Sequence, residues 1–288
     1  NRMRLVLFRS LAEIRPCVSG QLRSLAPDVA SYFDGVEVCL SQLNPSVLDA
    51  CAEEGLRVIC RLEVVATSSP EADAAEKLGA LSDVLLESGD DPSRSLVTVV
   101  MTVPLSRTGN ARDAGGYLYR VLPLAAEFLE RHPWVGGSHG VLNAHGRPLN
   151  NHVLGVCQSL RRRGCDGDRG VAVAAATDVD FLADVVDLLP PTNLSLDARD
   201  FSSVEDNELL GGDSFASVLH HTEHVTVDGP DQMPRILERL WGAKARLGAR
   251  ETYATVAVGS GGRSDRSPEE LAAELRRRYD TWLQAAPP

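Results

Sequence analysis

Short apolar runs alternate with longer amphipathic stretches along most of the chain. The runs are typical of strands, and they are Leu5–Phe8, Gly35–Leu40, Leu56–Val65, Leu96–Val103, Trp134–Leu142, Gly170–Ala176, Asn193–Asp197, His224–Val227 and Tyr253–Val258. The stretches between them have helical spacing, from Pro45 to Glu54 and over Pro70–Glu87, Tyr117–Arg131, His152–Arg163, Asp178–Leu189, Pro234–Leu247 and Pro268–Leu283. Strands separated by helices of roughly 10–20 residues predict parallel β–α–β units.

The helix that begins at Pro45 has clear signals at both of its ends. Asn44 precedes it, and an asparagine side chain can accept a hydrogen bond from the first free backbone N–H groups. Gly55 follows it, and glycine readily takes the left-handed conformation that ends a helix. We therefore expect a short helix bounded by Asn44 and Gly55.

This alternation predicts an α/β fold of the (β/α)8 TIM-barrel type, formed by residues 1–288 as a single domain. Nine candidate strands are one more than a closed barrel needs, and Trp134–Leu142 is the weakest of them and could instead be an irregular loop. A doubly wound open sheet is the competing architecture. It would normally have a glycine-rich fingerprint after the first strand, and the residues after Phe8 (RSLAEIRP) contain none.

Composition narrows the classes of partner and location. The formal net charge is −11 and the sequence pI is about 5.1, which argues against nucleic acid but leaves a local basic pocket open. No apolar run approaches the roughly 18 residues needed to cross a membrane. The first residues lack the pattern of a signal peptide, and the six cysteines are scattered without a metal or disulfide spacing. We therefore expect a cytoplasmic protein with reduced thiols.

Polar residues near the predicted carboxyl ends of the strands form the candidate site, because that rim carries the active sites of α/β barrels. They are Arg9, Glu37, Glu63, His139, Asp197, Arg199, His221 and the Gly259–Arg263 loop, with Gly261 and Arg263 as anion-binding candidates. Backbone N–H groups of a glycine-rich loop and a nearby arginine suit a phosphate or carboxylate, whereas an ordinary loop is the alternative. Carboxylates, histidines and arginines together suit an anionic or polyhydroxylated small molecule.

The segment Leu219–Pro234 (LHHTEHVTVDGPDQMP) concentrates three histidines, one glutamate and two aspartates. Such a segment could ligate a divalent metal, or it could be a polar loop whose histidines bond the backbone. It resembles a motif of the sugar phosphate isomerase/epimerase family, the xylose isomerase-like barrels, in which His-Ala-Arg precedes Gly-Pro-Gln and a proline. Here His221-Thr222-Glu223 is followed by Gly229-Pro230-Asp231-Gln232 and Pro234.

Two further motifs are similar to that family in order and spacing. Residues 194–201 (LSLDARDF) resemble Leu-x-x-Asp-x-Ser-His-Trp, and residues 34–37 (DGVE) resemble Asp-Gly-x-Glu at the end of the second strand. The resemblance implies a metal held by two glutamates, an aspartate and a histidine, with Asp197 and His221 at the last two positions. The glutamates are absent from Gly137–Arg147, Val171–Asp178 and residues 255–259, where they would be expected.

Three functional hypotheses follow. The first is an isomerase/epimerase- or lyase-type enzyme that acts on a sugar-like or polyhydroxylated carbonyl substrate by acid/base proton transfer. The second is a degenerate barrel that serves as a non-catalytic binding or partner subunit, and the third is a metal-free enzyme of specialised metabolism. Each is compatible with a homo-oligomer, and the alanine-rich run at residues 171–176 would make room for a bulkier substrate in the third.

The first hypothesis assigns roles to individual residues. Its catalytic candidates are His139, Asp197, His221 and Glu37, and its substrate-binding candidates are Arg9, Glu63, Arg199, Gly261 and Arg263. A remaining divalent metal (manganese, cobalt or zinc) would bind Asp197 and His221, with Glu223 or His224 as substitute ligands, and the alternative is catalysis without a cofactor. Membranes and nucleic acids are not expected partners.

Overall fold

In the computed structural model, eight parallel strands close into a barrel within the described part of the chain. The described residues are 3–12, 19–64, 69–88, 96–102, 120–121, 123–125, 127–128, 131–132, 140–142, 148–150, 152–155, 194–197, 213–227, 233–257 and 266–285. The barrel strands are β1 (Arg4–Ser10), β2 (Gly35–Cys39), β3 (Arg57–Glu63), β4 (Leu96–Thr102), β7 (His152–Gly155), β8 (Leu194–Asp197), β9 (Thr222–Val227) and β10 (Glu251–Val256). Strands β5 (Gly140–Leu142) and β6 (Pro148–Asn150) form a separate antiparallel pair.

The order of strands around the barrel is β1-β10-β9-β8-β7-β4-β3-β2, and pairing of β1 with β2 closes it. The named helices are α1 (Ser19–Tyr32), α2 (Pro45–Glu53), α3 (Pro70–Glu87), α4 (Asp213–His220), α5 (Met233–Arg246) and α6 (Pro268–Ala285). This arrangement confirms the predicted (β/α)8-type fold. None of the helices in the described ranges is long and apolar enough to span a membrane.

The hydrophobic core lies between the outer faces of the strands and the helices. Because side chains alternate along a strand, β1 sends Leu5 and Leu7 outward into this core, and β3 does the same with Val58, Cys60 and Leu62. The intervening residues face the barrel interior. This alternation determines which polar side chains of the strands meet inside.

Helix α2 has the ends that the sequence predicts. The Asn44 side chain accepts a hydrogen bond from the Val47 backbone N–H at 3.0 Å, and Pro45 occupies the first turn. Gly55 has φ of 69°, in the left-handed region that glycine adopts without strain. Helix α3 also begins and ends at the predicted residues, and the described residues between 120 and 131 are helical, as expected.

Helix α1 has no counterpart among the sequence predictions, and neither has α4. Pro27 lies inside α1, where proline normally removes a backbone hydrogen bond and disfavours a helix. Leu22, Ala26 and Val29 nevertheless recur at helical spacing and are buried against the core. Burial of this face outweighs the local cost of the proline.

The barrel strand β7, which pairs with β4, is the main correction to the predicted elements. Residues 152–155 are expected to begin a helix, but they form β7, which pairs with β4 and β8. Of the predicted strand Trp134–Leu142, the structure describes Gly140–Leu142, which pair with β6 outside the barrel. The run His152-Val153-Leu154-Gly155 is too short for the spacing of its apolar residues to distinguish a helix from a strand. It is a strand because it pairs with β4 on one side and with β8 on the other. The predictions for Gly170–Ala176 and Asp178–Leu189 lie outside the described residues.

Candidate functional site

The barrel interior contains an apolar layer towards the amino ends of the strands. Val6 and Phe8 of β1, Ile59 of β3 and Tyr253 of β10 form one buried cluster. The rings of Phe8 and Tyr253 meet edge to face, with their centroids 6.0 Å apart. This layer separates two groups of polar side chains inside the barrel.

The group on the carboxyl side of the layer is centred on Glu37, which is buried in the middle of β2. The Arg61 Nε donates to one carboxylate oxygen of Glu37 at 2.7 Å, and the Thr255 hydroxyl donates to the other at 2.6 Å. Burial raises the pKa of the Glu37 carboxyl, but the charge of Arg61, the interaction with His224 and the two hydrogen bonds outweigh it. They lower this pKa to about 2, so Glu37 is ionised at any physiological pH.

His224 of β9 joins Glu37 to the far wall of the barrel. Its Nε2 lies 2.7 Å from the Thr255 hydroxyl and 3.4 Å from the nearer Glu37 oxygen. Its Nδ1 lies 2.7 Å from the Ser195 hydroxyl of β8. The Arg61 guanidinium also reaches the Thr226 hydroxyl of β9 at 3.4 Å. Residues from five strands therefore meet in one polar group, which we name the Glu37 cluster (Glu37, Arg61, Ser195, His224, Thr226 and Thr255).

A second polar group lies at the amino end of the barrel. Arg57 contacts both carboxylate oxygens of Glu251 at 3.1 and 3.2 Å, and the Tyr253 hydroxyl donates to Glu251 at 2.9 Å. The Arg57 guanidinium lies over the Tyr253 ring, 5.5 Å from its centroid. Burial, as the largest cause, raises the pKa of the Tyr253 hydroxyl. We name this group the Arg57 cluster (Arg57, Glu251 and Tyr253).

The structure places Glu37 inside the barrel and Glu63 at the carboxyl end of β3, whereas Arg9 lies differently from what the sequence suggests. Arg9 forms an ion pair with Glu269 in the first turn of α6 at 3.2 Å, so its guanidinium points to the helix layer. Glu63 ends β3 and is exposed, and its backbone carbonyl accepts a hydrogen bond from the Lys77 ammonium. Arg9 therefore points away from the Glu37 cluster, whereas Glu63 keeps the rim position that the sequence predicts.

His221 is placed at the opposite end of its strand from the predicted rim. It directly precedes β9, which begins at Thr222, so the expectation that it lies at a carboxyl end is wrong. Its ring contacts that of His220, with centroids 5.2 Å apart. The strand starts earlier than expected because Thr222 and His224 both fit the inward face, and His224 is the histidine that enters the barrel.

Asp197 is the last residue of β8 and lies in register with Thr226. Its backbone is therefore at the carboxyl rim, as predicted, close in the strand order to the Glu37 cluster. His139, Arg199, Gly261 and Arg263 lie outside the described residues. Their assigned roles stay predictions.

Four members of the Glu37 cluster were not named as site residues from the sequence: Arg61, Ser195, Thr226 and Thr255, and His224 was named only as a substitute metal ligand. Their common signal is alternation, because each stands in a strand between residues that face the outer core. In β3, for example, Arg57 and Arg61 interrupt an otherwise apolar run at even spacing. A search of strand interiors for polar residues with period two would have found them.

The described residues do not fit the metal that the family resemblance implies. Among them, no group of three or more histidine, cysteine, aspartate or glutamate side chains could hold an ion. Both oxygens of Glu37 accept hydrogen bonds, and the adjacent Arg61 cation opposes a second positive charge. Residues 255–257, near the end of β10, contain no glutamate. We therefore derive no step through a metal.

Comparison with known proteins places the chain by its fold. No family model and no curated protein matches it. The crystal structure of D-allulose 3-epimerase from Methylomonas sp., in complex with D-allulose, matches with a TM-score of 0.58 and 14% identity over 97% of this chain and 98% of that one. A xylose isomerase domain protein from Alicyclobacillus acidocaldarius subsp. acidocaldarius matches with a TM-score of 0.55 and 14% identity, over 97% and 99%. At this identity the likeness shows the fold alone, which is a (β/α)8 TIM-type barrel.

Proposed function

We propose that the protein is an isomerase/epimerase- or lyase-type enzyme that acts on a sugar-like or polyhydroxylated carbonyl substrate by acid/base proton transfer. The observation that carries this proposal is the Glu37 cluster, which brings a carboxylate, a guanidinium and an imidazole together inside the barrel. The likeness of the fold to a protein named D-allulose 3-epimerase supports the substrate class.

The position of the cluster argues for a function because its charges are costly to bury. Interiors of α/β barrels are normally filled by bulky apolar side chains, and an ion pair removed from water often stabilises a protein less than apolar packing would. Glu37 and His224 are nevertheless buried in the centre of this barrel. A group of strongly interacting titratable residues in such a place is typical of an active site.

Three side chains of the cluster have different chemical roles in this proposal. Glu37, with its pKa lowered to about 2, is too weak a base to take a proton near neutral pH and acts as a fixed negative charge. His224 lies beside that charge and is the acid/base group, because a carboxylate stabilises the imidazolium that forms when it accepts a proton. Arg61 is more exposed than Glu37 and polarises the carbonyl oxygen of the substrate.

The proposal is tested by following proton exchange from a panel of ketohexoses, aldoses, ketopentoses and hydroxy acids in D₂O. Nuclear magnetic resonance reports deuterium incorporation, a new epimer or a cleavage product without prior choice of substrate. We expect turnover of at least one compound by the wild type and about 100-fold or greater loss in His224→Gln. Arg57→Met is the matched control, because it removes the other interior arginine of β3 and should retain activity.

A folded wild-type protein that exchanges, epimerises or cleaves no member of the panel would count against the proposal. Retained turnover in His224→Gln would count against the role of that residue. Circular dichroism of each variant shows whether a loss of activity reflects the chemistry or the fold.

A second candidate function is a binding or partner subunit without catalysis. The observation in its favour is that both oxygens of Glu37 and both nitrogens of His224 already contact groups of the same chain. Isothermal titration calorimetry with the same panel distinguishes the two functions. Binding without turnover favours the subunit, and binding with turnover favours the enzyme.

A further inference from the structure

Four side chains of the Glu37 cluster are joined in series by short contacts. The Thr255 hydroxyl donates to Glu37 at 2.6 Å, and the same hydroxyl oxygen lies 2.7 Å from Nε2 of His224. On the other side of the imidazole, Nδ1 lies 2.7 Å from the hydroxyl of Ser195. The series crosses the barrel from β2 through β10 and β9 to β8.

The chemistry of Glu37 fixes the direction of these hydrogen bonds. An ionised carboxylate has no proton to give, so the Thr255 hydroxyl must donate its only proton to Glu37. The Thr255 oxygen can then only accept from His224, which requires a proton on Nε2. A neutral imidazole with its proton on Nε2 has a lone pair on Nδ1, and that lone pair faces Ser195.

We infer that Glu37 and Thr255 are positioning residues that hold His224 as the Nε2–H tautomer, and that the Ser195 hydroxyl relays protons between Nδ1 and a hydroxyl of the substrate. The inference rests on the proposed function and names the route that the proton takes. The imidazole is fully buried, with a relative exposure of 0%, so a substrate needs an intermediate group to exchange protons with it.

The relay is a concerted transfer of two protons. A substrate hydroxyl gives its proton to the Ser195 oxygen while Ser195 gives its own proton to Nδ1 of His224. The substrate oxygen keeps the electron pair of the broken O–H bond, and the imidazolium is stabilised by the Glu37 carboxylate. The reverse transfer returns the proton to the product, and a polyhydroxylated substrate supplies the hydroxyl that this route needs.

A relay fits Ser195 better than a covalent role. Its side chain lies within β8 rather than on a turn, and the residue is only 2% exposed. A nucleophile must itself be approached by a reacting carbon, whereas a relay passes on a proton through its hydrogen bonds. The relay needs only one substrate hydroxyl at hydrogen-bond distance from Ser195, which is less access than a carbon at bonding distance requires.

The tautomer is measured on the full chain labelled with ¹⁵N-histidine, in which seven histidines give a tractable long-range ¹H–¹⁵N correlation spectrum. His224→Gln assigns the resonance. We expect the wild-type imidazole to carry its neutral-state proton on Nε2. Glu37→Gln should move this proton at least partly to Nδ1, since an amide can donate to Thr255 and make Thr255 donate to Nε2.

Ser195→Ala is the matched variant, because it removes the hydroxyl that contacts Nδ1 and should leave the proton on Nε2. A wild-type imidazole protonated on Nδ1 would overturn the inference, and so would a tautomer that changes in Ser195→Ala but not in Glu37→Gln. These measurements need no substrate, so they stand apart from a failure of the proposed function.

The relay itself is tested by steady-state kinetics with a compound of the panel that the wild-type protein turns over. We expect Ser195→Ala to lower kcat about 100-fold or more with little change in KM, and Ser195→Cys to recover part of the loss. Unchanged kcat in Ser195→Ala, with the tautomer intact, would overturn the relay. Labelling of Ser195 by a fluorophosphonate probe would identify it as a nucleophile and would also overturn the relay.

Discussion

Two arginines of β3, four residues apart, face the barrel interior and pair with glutamates in different surroundings. Arg57 pairs with Glu251 at the amino end, where the two side chains are 27% and 19% exposed. Arg61 pairs with Glu37 on the other side of the apolar layer, where the exposures are 19% and 6%. Identical residue types on one strand therefore lie in different dielectric environments.

The difference teaches what each cluster contributes. The Arg57 cluster extends the apolar layer, because the guanidinium covers the Tyr253 ring and the carboxylate accepts from the Tyr253 hydroxyl. The Glu37 cluster instead reaches a histidine and three hydroxyl groups on other strands. We conclude that the amino-end pair closes the barrel, and that the more deeply buried pair has the contacts expected of the proposed site.

The largest expected effect is that of Arg61→Met, which leaves the Glu37 carboxylate buried without its cation. Removing one partner of a buried pair typically costs about 3–5 kcal/mol of the free energy of unfolding. Urea denaturation followed by circular dichroism measures the loss. The double variant Arg61→Met/Glu37→Gln should recover a large part of it, and equal stability of the single and wild-type proteins would remove the distinction between the clusters.

The free energy of unfolding at acid pH is expected to depend on the Glu37 cluster, because Glu37 has a pKa lowered from 4.5 to about 2. A depressed pKa contributes stability that is present above about pH 4.5 and is lost as the pH falls towards 2. The contribution is on the order of 3 kcal/mol. The free energy of unfolding, measured by urea denaturation between pH 5 and about 2, should fall less steeply in Glu37→Gln than in the wild type. Parallel curves would contradict the assignment of this titration to Glu37.

Packing at the amino end is tested by Gly35→Ala. An added Cβ would lie 2.2 Å from the Arg57 carbonyl oxygen of β3 and 2.7 Å from the Phe8 ring of β1. Strand β2 would therefore have to move away from both neighbouring strands. We expect a loss of about 1–3 kcal/mol in the free energy of unfolding, measured by chemical denaturation. Gly79→Ala in α3 is the control, since nothing lies within 4 Å of its Cβ, and it should be neutral or stabilising.

The smallest expected effect is that of Arg57→Met at low ionic strength. The pair with Glu251 is partly exposed to water, so its loss should cost about 1 kcal/mol, less than the loss of Arg61. The thermal unfolding midpoint, compared at low salt and at about 1 M salt, measures the electrostatic part, because salt screens exposed charges. A cost as large as that of Arg61→Met would show that both pairs are buried alike.

Local patterns predicted the elements whose signals lie within a few residues. Asn44, Pro45 and Gly55 delimit α2 through hydrogen bonds and backbone angles of the same segment. Elements that depend on distant partners were missed. Helix α1 contains Pro27 and is stabilised by burial, and residues 152–155 are a strand because β4 and β8 flank them.

The candidate site divides in the same way. Glu37 was identified from the sequence, because it is the last residue of the DGVE motif in a predicted strand. His221 was chosen in place of His224, since the sequence does not show where β9 begins or which residues face inward. Both are decided by the pairing of β9 with β8 and β10.

The sequence by itself determined that strands and helices alternate, and it indicated a barrel and a polar rim. Hydrophobic period and helix caps are local properties of the chain, so they can be read without a partner. Only the tertiary structure brought Glu37, Arg61, Ser195, His224 and Thr255 together, because they come from β2, β3, β8, β9 and β10. Closure of the barrel sets their distances, and these distances give Glu37 its low pKa and His224 its orientation.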